Sequence, residues 1–572
     1  MVGDRQGGGR LDAATALTRR LYDARDLVKG APAAAALHAG LVLDDARAAL
    51  AYPAVRLGVV ASLLIVAGSF TPAFLPPDSG IPQALGLSWL ESGAGRALAT
   101  VSVLAGVALL VFAWLSLRPR REAAGSRSVV PIAAWWLWSL PFLLAPPLFS
   151  RDAYSYAAQG LIVDRGMDPY ATGPISVPGP FADQVDPMWL FTSSPYGPLA
   201  LQTQHLIVDM TFGNAYLAAV AMRLPAIISM IVIARVLPGL AERLGASRAM
   251  ATWIGVLNPL VLIHLVGGAH NDAMAIALVV VALRLSYSGH PLVASLAIAA
   301  AAGYKQTAVL ALVGVAGLAA RRVAAQASGT DDADPAFRDY FRMAAFVGTA
   351  SFVAFAAITF VSGLGWGWIA ALSVPMSLRS LLAPSTLIGS IGEAILRFFA
   401  VAPDLVTLPV TASHTIAMIA MLVGLVWVTL WLAPKQPALA TVAAFGLFVL
   451  GGPVLHPWYV LPVFVVLGTL RLDARVSKAV IVVTIFLAAH AAFDVAVGNG
   501  AITVGLALVV GALFRLRKIG LISFDTPEML GGPDTPEAAL APAPTGAADS
   551  VDTTARLSTG ELHATKPSPQ QS

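Results

Sequence analysis

Runs of apolar residues dominate this chain and limit what it can fold into. Each run is about 15 to 25 residues long, the length that a helix needs to cross a lipid bilayer. Of the 572 residues, 57% are hydrophobic and only 12% are charged, whereas a soluble globular protein carries about a quarter charged residues. The sequence therefore predicts an all-α polytopic membrane protein with about 13 to 14 transmembrane helices and further helices in external loops. The predicted segments are 56–75, 97–117, 129–149, 214–236, 247–266, 270–288, 291–304, 306–320, 343–363, 411–433, 437–453, 458–470, 478–496 and 499–514.

The composition changes along the chain and predicts three parts. Residues 1–50 are rich in alanine with scattered charges, which predicts a cytoplasmic N-terminal segment, either as helices near the lipid headgroups or as a partly ordered tail. Residues 51–519 form the predicted transmembrane domain. Residues 520–572 consist largely of Pro, Thr, Ala, Asp and Gly, which predicts a disordered cytoplasmic tail. The chain has no cysteine, so disulfides, thiolate metal sites and cysteine nucleophiles are excluded.

Arginine and lysine are concentrated in five of the predicted loops. With the segments above, these loops fall on the same side as the N-terminus, and the positive-inside rule assigns that side to the cytoplasm. The net charge is only +4, so the basic residues fit membrane orientation better than nucleic-acid binding. They are Arg118, Arg120, Arg121, Arg127, Arg235, Arg243, Arg248, Arg321, Arg322, Arg338, Arg342, Arg471, Arg475, Lys478, Arg515, Arg517 and Lys518.

The unusual polar clusters all fall on the opposite, outer side. They are contributed by segments that lie far apart along the chain, and we expect them to form one polar, aromatic-edged cavity at that membrane face. The clusters are the loop 150–213 with Asp152, the junction 266–272 with His270, the turn 303–307 with Lys305, the loop 364–405 with Trp366 and Arg379, and the junction 453–459 with His456.

Asp152 follows directly after the apolar segment 129–149. A carboxylate at this aqueous edge can stay ionised and reach a substrate held in lipid. It could take the proton from an acceptor hydroxyl, as a general base does in glycosyl transfer. The alternative is that Asp152 flanks or caps a helix over 153–164.

Several other ionisable residues are expected at membrane depth, where such residues usually have a function. His270, Asn271 and Asp272 stand where a segment enters the bilayer, and the alternative is that Asn271 or Asp272 caps the following helix. Arg223 lies within the segment 214–236 and is expected to pair either with an anionic ligand or with an internal carboxylate, such as Asp272 or Asp494.

Lys305 and Gln306 lie between two short apolar runs, at the tip of a predicted helical hairpin. A lysine there could hold a phosphate as a point charge, or it could simply extend to the interface. His456, Trp458 and Tyr459 join two segments; they suit sugar stacking and phosphate contact, or an ordinary interfacial aromatic belt.

No phosphate-binding glycine-rich loop and no dinucleotide fingerprint occur in the sequence. A soluble nucleotide-sugar donor is therefore not expected. No spacing of histidines and carboxylates requires a metal, so we predict neither a metal site nor a cofactor.

Seven short motifs together resemble the GT-C integral membrane glycosyltransferases. Among these enzymes the chain is similar to the actinobacterial polyprenyl-phosphomannose-dependent α-1,6-mannosyltransferases that build lipomannan, the MptA/MptB type. The likeness runs over residues 50–515. The motifs are Asp-Ala-Tyr-Ser-Tyr at 152–156, Gly-Met-Asp-Pro-Tyr at 166–170, Ser-Pro-Tyr-Gly-Pro-Leu at 194–199, Asn-Pro-Leu at 258–260, His-Asn-Asp at 270–272, Tyr-Lys-Gln-Thr at 304–307 and His-Pro-Trp-Tyr at 456–459.

This resemblance implies a donor, an acceptor and a site. The donor would be mannose on a polyprenyl monophosphate, and the acceptor a lipid-anchored α-1,6-mannan. Transfer would be inverting and metal-independent, at an active site facing the exterior of the plasma membrane. Asp152 matches the family's carboxylate in the first large external loop and takes the role of base. Lys305, Arg223 and His456 are the candidates for the donor phosphate, and Tyr154, Trp366, Trp368 and Trp458 could stack on sugars.

Two alternatives remain at this point. One is a related GT-C enzyme that uses another polyprenyl-phosphate sugar, such as arabinose or glucose. The other is a transporter of a lipid-linked sugar, which should show related halves and polar residues along a transmembrane path. The sequence has no internal repeat, and its polar clusters are confined to one side.

Overall fold

The computed structural model describes residues 44–76, 79–119, 130–330, 333–374 and 378–518. The predicted tail, 520–572, and all but the last part of the predicted N-terminal segment lie outside these residues. Within the described ranges the chain is helical and contains no β-strand, which confirms the all-α fold class.

Nineteen α-helices of seven or more residues in the described ranges are labelled here in chain order. In the first half they are α1 Asp44–Leu50, α2 Pro53–Ser69, α3 Gly93–Ser116, α4 Val130–Ser139, α5 Asp152–Asp164, α6 Pro198–Met210, α7 Ala215–Ala221, α8 Arg223–Arg243, α9 Arg248–Gly255 and α10 Asp272–Tyr287. In the second half they are α11 Pro291–Tyr304, α12 Leu312–Ser328, α13 Phe337–Ser362, α14 Pro384–Phe398, α15 Leu408–Trp427, α16 Pro437–Gly451, α17 Leu461–Leu467, α18 Ala474–Ala496 and α19 Ala501–Lys518.

Each of the fourteen predicted apolar segments contains helix in the structure. Among the described residues, six helices are long and apolar enough to cross a membrane, or up to eight if each of two bent pairs is one span. Shorter apolar helices such as α11 and α16 account for much of the difference from the predicted number of crossings. The chain is thus a multi-pass membrane protein whose helices are of very unequal length.

Small residues allow neighbouring helices to pack closely. A Cβ atom added at Gly68 of α2 would come within 2.5 Å of the Ala99 carbonyl of α3, and one at Gly106 of α3 within 2.8 Å of the Ala61 carbonyl. Close backbone contact of this kind is the usual basis of helix pairing in membranes, where apolar burial alone gives no advantage over lipid.

A sharp reversal of the chain separates a π-helical segment, Val261–Gly267, from α10. The two axes differ by 111°, and the turn contains Gly268 and Ala269. Ala269 has φ +56°, a left-handed conformation that is rare for a residue other than glycine. The reversal places His270 and Asn271 on a buried turn rather than within a helix.

Three helices lie in the long loops, namely α5, α6 and α14. The predicted short helix after the segment 129–149 is α5, which confirms that interpretation. It packs on α6, where Gly160 approaches the Gln204 carbonyl so closely that a Cβ would lie 2.5 Å from it. Neither α6 nor α14 was predicted. The mixture of glutamine, threonine and histidine in α6 hides its helical pattern, and α14 carries an apolar stripe on one face only.

Candidate active site

Asp152 is the first residue of α5, and its side chain is only 11% exposed. Its carboxylate Oδ2 accepts a hydrogen bond from the Tyr156 hydroxyl at 3.4 Å and lies 3.4 Å from Nδ1 of His270. The backbone N–H of Asp152 donates to the Ser150 hydroxyl at 3.0 Å. The N-cap residue of α5 is Arg151, and no helix N–H in the described ranges donates to the Asp152 carboxylate, so helix capping does not explain this carboxylate.

The surroundings of Asp152 keep it ionised. Burial by itself raises the pKa of the Asp152 carboxyl, but the hydrogen bond and charge of His270 and the contributions of His456 and Ser150 hold that pKa below the ordinary value of 3.8. The positive end of the α5 dipole acts in the same direction. At neutral pH the group is therefore a carboxylate that can accept a proton.

Three histidines surround the indole ring of Trp458. The His270 ring stacks on it with centroids 3.9 Å apart, the His456 ring stacks at 4.6 Å, and the His264 ring lies tilted at 5.5 Å. Burial lowers the pKa of His456 to about 4, although the nearby Asp152 carboxylate opposes this shift. His456 is therefore neutral at neutral pH and can offer a substrate a hydrogen bond but not a positive charge.

Arg223 was expected to hold an anionic ligand or an internal carboxylate, and the structure corrects this expectation. Its guanidinium is buried and donates to three backbone carbonyls, those of Ala145, Pro146 at 2.6 Å and Gly267 at 2.9 Å. The first two carbonyls belong to the loop before α5, and the third ends the π-helical segment before α10. Arg223 therefore joins the two chain segments that carry Asp152 and His270, and its fixed fork of five donors suits several fixed acceptors.

Lys305 forms an ion pair with Asp272. The lysine Nζ lies 2.7 Å and 2.8 Å from the two carboxylate oxygens, and it sits 4.5 Å from the ring centroid of Tyr459. The side chains of Lys305 and Asp272 are 17% and 4% exposed. Lys305 is thus held in place by a carboxylate and an aromatic ring. Its side chain does not extend freely to the interface. Asn271, the N-cap residue of α10, makes no side-chain capping bond.

One cavity, here called the apolar-walled cavity, begins at this ion pair and has a volume of about 200 Å³. Its lining combines polar side chains with apolar side chains of α15 and α16. The polar lining includes Asp152, Asp272, Lys305, Gln306, Thr307, His456 and Tyr459, and the apolar lining includes Met418, Met421, Phe445, Phe448 and Val449.

A second and larger cavity, here called the polar cavity, has a volume of about 490 Å³. Its lining mixes arginines, carboxylates and aromatic rings, namely Arg151, Arg379, Asp152, Asp186, Asp494, Trp189 and Trp458.

The two cavities meet at a shared wall. The residues that line both are Asp152, Trp189, Leu378, Val454, His456 and Trp458. Asp152 is the only carboxylate in this shared set. It therefore lies where molecules held in the two cavities would touch.

The structure brings seven of the predicted site residues to the apolar-walled cavity, and they are Asp152, Asp272, Lys305, Gln306, His456, Trp458 and Tyr459. His270 and Asn271 lie behind this wall: the His270 ring is 0% exposed and Asn271 is 3% exposed. Their burial does not fit the expected contact with a substrate.

Two predicted aromatic residues are not at either cavity. Tyr154 is buried, and its hydroxyl donates to the Phe74 carbonyl at 3.3 Å. Trp366 is 49% exposed and stands beside Trp368, 6.2 Å away between ring centroids. The expectation that Tyr154 and Trp366 stack on sugars is therefore not matched by their positions.

Tyr156, Tyr196 and Trp189 are neighbours of Asp152 that the sequence reasoning missed. Tyr196 donates to the Tyr156 hydroxyl at 3.3 Å, which extends the hydrogen bonds of the carboxylate. The spacing of four residues between Asp152 and Tyr156 on a helix would have indicated that contact. No sequence pattern indicates Trp189, because its helix, Pro187–Leu190, is too short to show a helical period.

One group of side chains in the described residues could hold a metal ion, namely Asp164, His205 and Asp209. His205 Nε2 lies 3.7 Å from Asp164 and 3.6 Å from Asp209, and ion pairs of a protonated imidazole would explain the cluster equally well. Asp164 ends α5, about 18 Å along the helix from Asp152.

Comparisons with known proteins identify the family of the chain. A family model described as "Alpha-(1->6)-mannopyranosyltransferase, N-terminal domain" matches residues 55–321. The chain is 31% identical over 413 residues to alpha-(1->6)-mannopyranosyltransferase A of Mycobacterium tuberculosis, which covers 71% of this chain and 77% of the relative. The enzyme of the same name from Corynebacterium glutamicum is 31% identical over 427 residues, covering 71% of this chain and 86% of the relative.

A third relative extends the match. Alpha-(1->6)-mannopyranosyltransferase B of Corynebacterium glutamicum is 29% identical over 517 residues, covering 83% of this chain and 81% of that protein. No solved structure matches the chain. All three relatives bear the names of enzymes, which does not favour the transporter alternative. The chain therefore belongs to the alpha-(1->6)-mannopyranosyltransferase family and is a membrane-embedded mannosyltransferase.

Proposed function

We propose that this GT-C type enzyme transfers mannose from polyprenyl phosphomannose to a lipid-anchored α-1,6-mannan, with inversion and with Asp152 as the general base. The observation that carries the proposal is the position of Asp152, where the apolar-walled cavity meets the polar cavity. A base there lies beside both the acceptor hydroxyl and the sugar to be transferred.

The apolar-walled cavity suits the donor. Lys305 supplies a positive charge in its wall, and methionine and phenylalanine side chains supply apolar surface in the same cavity. An anionic head joined to a hydrocarbon tail needs this combination. A fixed cation stabilises the charge that develops on a departing phosphate.

The polar cavity suits the acceptor. Its carboxylates can accept hydrogen bonds from sugar hydroxyls, and Trp189 and Trp458 offer aromatic faces. It is also more than twice as large as the apolar-walled cavity, at about 490 Å³ against about 200 Å³, which suits an oligosaccharide better than a single sugar.

The proposed reaction is a single displacement. The acceptor hydroxyl oxygen attacks C1 of the mannose, and its proton passes to the Asp152 carboxylate. The bond between C1 and the phosphate oxygen breaks, and the polyprenyl phosphate leaves with the electron pair. One displacement at C1 inverts its configuration.

The orientation in the membrane is part of the proposal. The basic loops identified in the sequence favour placing the N-terminus in the cytoplasm. The loops that carry Asp152, His270, Lys305 and His456 then face the exterior of the plasma membrane, where a lipid-anchored mannan would be elongated.

The test is an assay of the purified protein with a panel of polyprenyl-phosphate sugars and a synthetic α-1,6-mannan acceptor. We expect mannose to be transferred at least about tenfold faster than arabinose or glucose, because a difference of about 1.4 kcal/mol in transition-state binding suffices for this ratio. Faster transfer of arabinose or glucose would overturn the sugar assignment. A requirement for a nucleotide sugar would overturn the donor assignment.

A second prediction concerns the donor's tail. An apolar groove of about 440 Å³ lies beside the apolar-walled cavity and shares Gln306, Thr307, Leu372 and Phe448 with it. The groove also contains Gly348 of α13, where an added Cβ would meet no atom within 4 Å. We expect Gly348→Leu to raise the KM of long-chain donors about tenfold by removing tail contacts, and to leave short-chain donors within about twofold.

Gly446→Leu is the matched control. Gly446 lies in α16, an added Cβ there also meets no atom within 4 Å, and the residue lines neither cavity and not the groove. The KM values of the Gly446→Leu variant should stay at the wild-type level for both donor lengths. Equal effects of the two substitutions, or an equal effect on both donor lengths, would exclude the groove as the tail's path.

A further inference from the structure

We propose that His270 is a positioning residue that holds one oxygen of the Asp152 carboxylate so that the other oxygen faces the substrate. This inference rests on the proposed role of Asp152 as base. It replaces the substrate contact expected for His270 with a role that its full burial permits.

The two oxygens of Asp152 have different surroundings. Oδ2 lies 3.4 Å from His270 Nδ1 and accepts from Tyr156 at 3.4 Å. Neither His270 nor Tyr156 contacts Oδ1, and the Asp152 side chain forms part of both cavity walls. A hydrogen bond from Tyr156 and the close contact with the His270 ring at the same oxygen restrict the rotation of the carboxylate group. The unengaged oxygen is then the one that can take a proton.

The His270 ring is itself held from several directions. It stacks on Trp458 at 3.9 Å with the ring planes 24° apart, and its Nδ1 lies 3.5 Å from the Tyr156 hydroxyl. Its backbone follows Ala269, whose left-handed φ of +56° is retained by the surrounding packing. A ring that is fixed in this way can orient a neighbouring group without moving during the reaction.

The backbone brings the two residues together through Arg223. The guanidinium donates to the carbonyls of Ala145 and Pro146, which precede Asp152, and of Gly267, which precedes His270. A direct bond from the Leu148 N–H to the Gly267 carbonyl at 3.1 Å adds to this link. The contact between imidazole and carboxylate is thus built into the joined loops.

The chemical consequence follows from the proton's position on His270. When Nδ1 carries the proton it donates to Oδ2, which stabilises the ionised carboxylate. The acceptor's proton then moves to Oδ1 as C1 is attacked and the phosphate leaves. His270 exchanges no proton in this step; it sets the orientation and the basicity of the base.

Other groups also face Asp152 and must be considered in a pH measurement. They are Tyr156 on the same helix, Tyr196 from the following loop, His264 from the π-helical segment, His456 and Tyr459 from the segment before α17, and the Asp272–Lys305 pair from α10 and the turn after α11. The His270 variants proposed below leave all of these groups unchanged, and the control replaces only His264.

The test compares His270→Phe with His270→Asn in the purified protein. Phenylalanine keeps a ring against Trp458 but donates no hydrogen bond, so we expect kcat to fall by about 10- to 100-fold, while both KM values change less than about threefold. The acid limb of the kcat/KM profile should move upward by about one pH unit, because the donor to the ionised form is lost. Asparagine can place an amide N–H near the position of Nδ1 and should recover most of kcat.

His264→Phe is the matched control. His264 is also fully buried, its ring lies 5.9 Å from that of His270, and it contacts no carboxylate among the described residues. The His264→Phe variant should keep the wild-type kcat and the wild-type acid limb of the kcat/KM profile. Loss of kcat in this variant equal to that in His270→Phe would point to packing alone and overturn the inference.

Two further measurements separate this inference from the proposed function. In the Asp152→Asn background, His270→Phe should change the residual transfer rate by less than about twofold, because His270 acts through Asp152. If Asp152→Asn abolishes transfer while His270→Phe keeps the wild-type kcat and acid limb, the positioning role fails and the base assignment stands. If neither His270 variant folds, the pH dependence of kcat/KM of the wild-type protein is the test. A midpoint of its acid limb above about pH 5 would contradict a carboxylate that is stabilised by a donor.

Discussion

Replacing Asp152 with asparagine should reduce kcat for mannose transfer by about 10²- to 10⁴-fold, because a positioned general base contributes about that much to a rate. Asparagine has nearly the same shape and can keep a contact with Tyr156 through its amide oxygen. The protein should therefore remain folded and should bind the donor with a KM within about threefold of wild type. The measurement is single-turnover transfer of labelled mannose from polyprenyl phosphomannose by purified protein.

Asp164→Asn is the control for this experiment. Asp164 ends the same helix, is exposed, and lies about 18 Å from Asp152 along the helix. We expect wild-type transfer from this variant. Transfer by folded Asp152→Asn at close to the wild-type rate would remove the base from the proposed mechanism.

Breaking the Lys305–Asp272 pair should strongly reduce both folding stability and mannose transfer. Lys305→Met leaves a carboxylate unpaired in a site where its side chain is 4% exposed. Removing one partner of a buried ion pair costs about 3 to 5 kcal/mol of folding stability. We expect a strongly lowered melting temperature together with loss of transfer, and loss of transfer alone would not distinguish misfolding from a lost phosphate contact.

The double variant Lys305→Met/Asp272→Asn separates these two causes. It removes both charges, so the melting temperature should return toward the wild-type value. If Lys305 holds the donor phosphate, transfer stays low and the donor KM stays at least about tenfold raised, while the acceptor KM changes little. Recovery of transfer together with stability would mean that the lysine serves only to neutralise Asp272.

Much of the fold could be predicted from local patterns. The fourteen apolar segments each contain helix, because the run length that a membrane helix requires is written directly in the sequence. The helix α5 was predicted with an error of one residue at its start. The number of crossings was harder to predict, since short helices such as α11 and α16 are as apolar as the long ones but span fewer residues.

Residue type alone was a poor guide to the role of a buried charge. Arg223 and Lys305 were both candidates for the donor phosphate, and both are cations at membrane depth. Only their neighbours distinguish them: backbone carbonyls surround the Arg223 guanidinium, whereas Lys305 lies at a cavity beside Asp272. A sequence carries no record of which carbonyls lie beside a side chain when they belong to distant loops.

The sequence by itself determined that this chain is a helical membrane protein and that its chemistry-bearing residues belong to separate polar junctions between apolar segments. Both properties depend on neighbouring residues along the chain. Only the tertiary structure decided that Asp152 contacts His270, that two cavities meet at Asp152, and that Tyr154 and Trp366 stand away from them. These outcomes depend on how the loops fold back on one another, through contacts such as those of Arg223 with two distant turns, and no local pattern specifies such contacts.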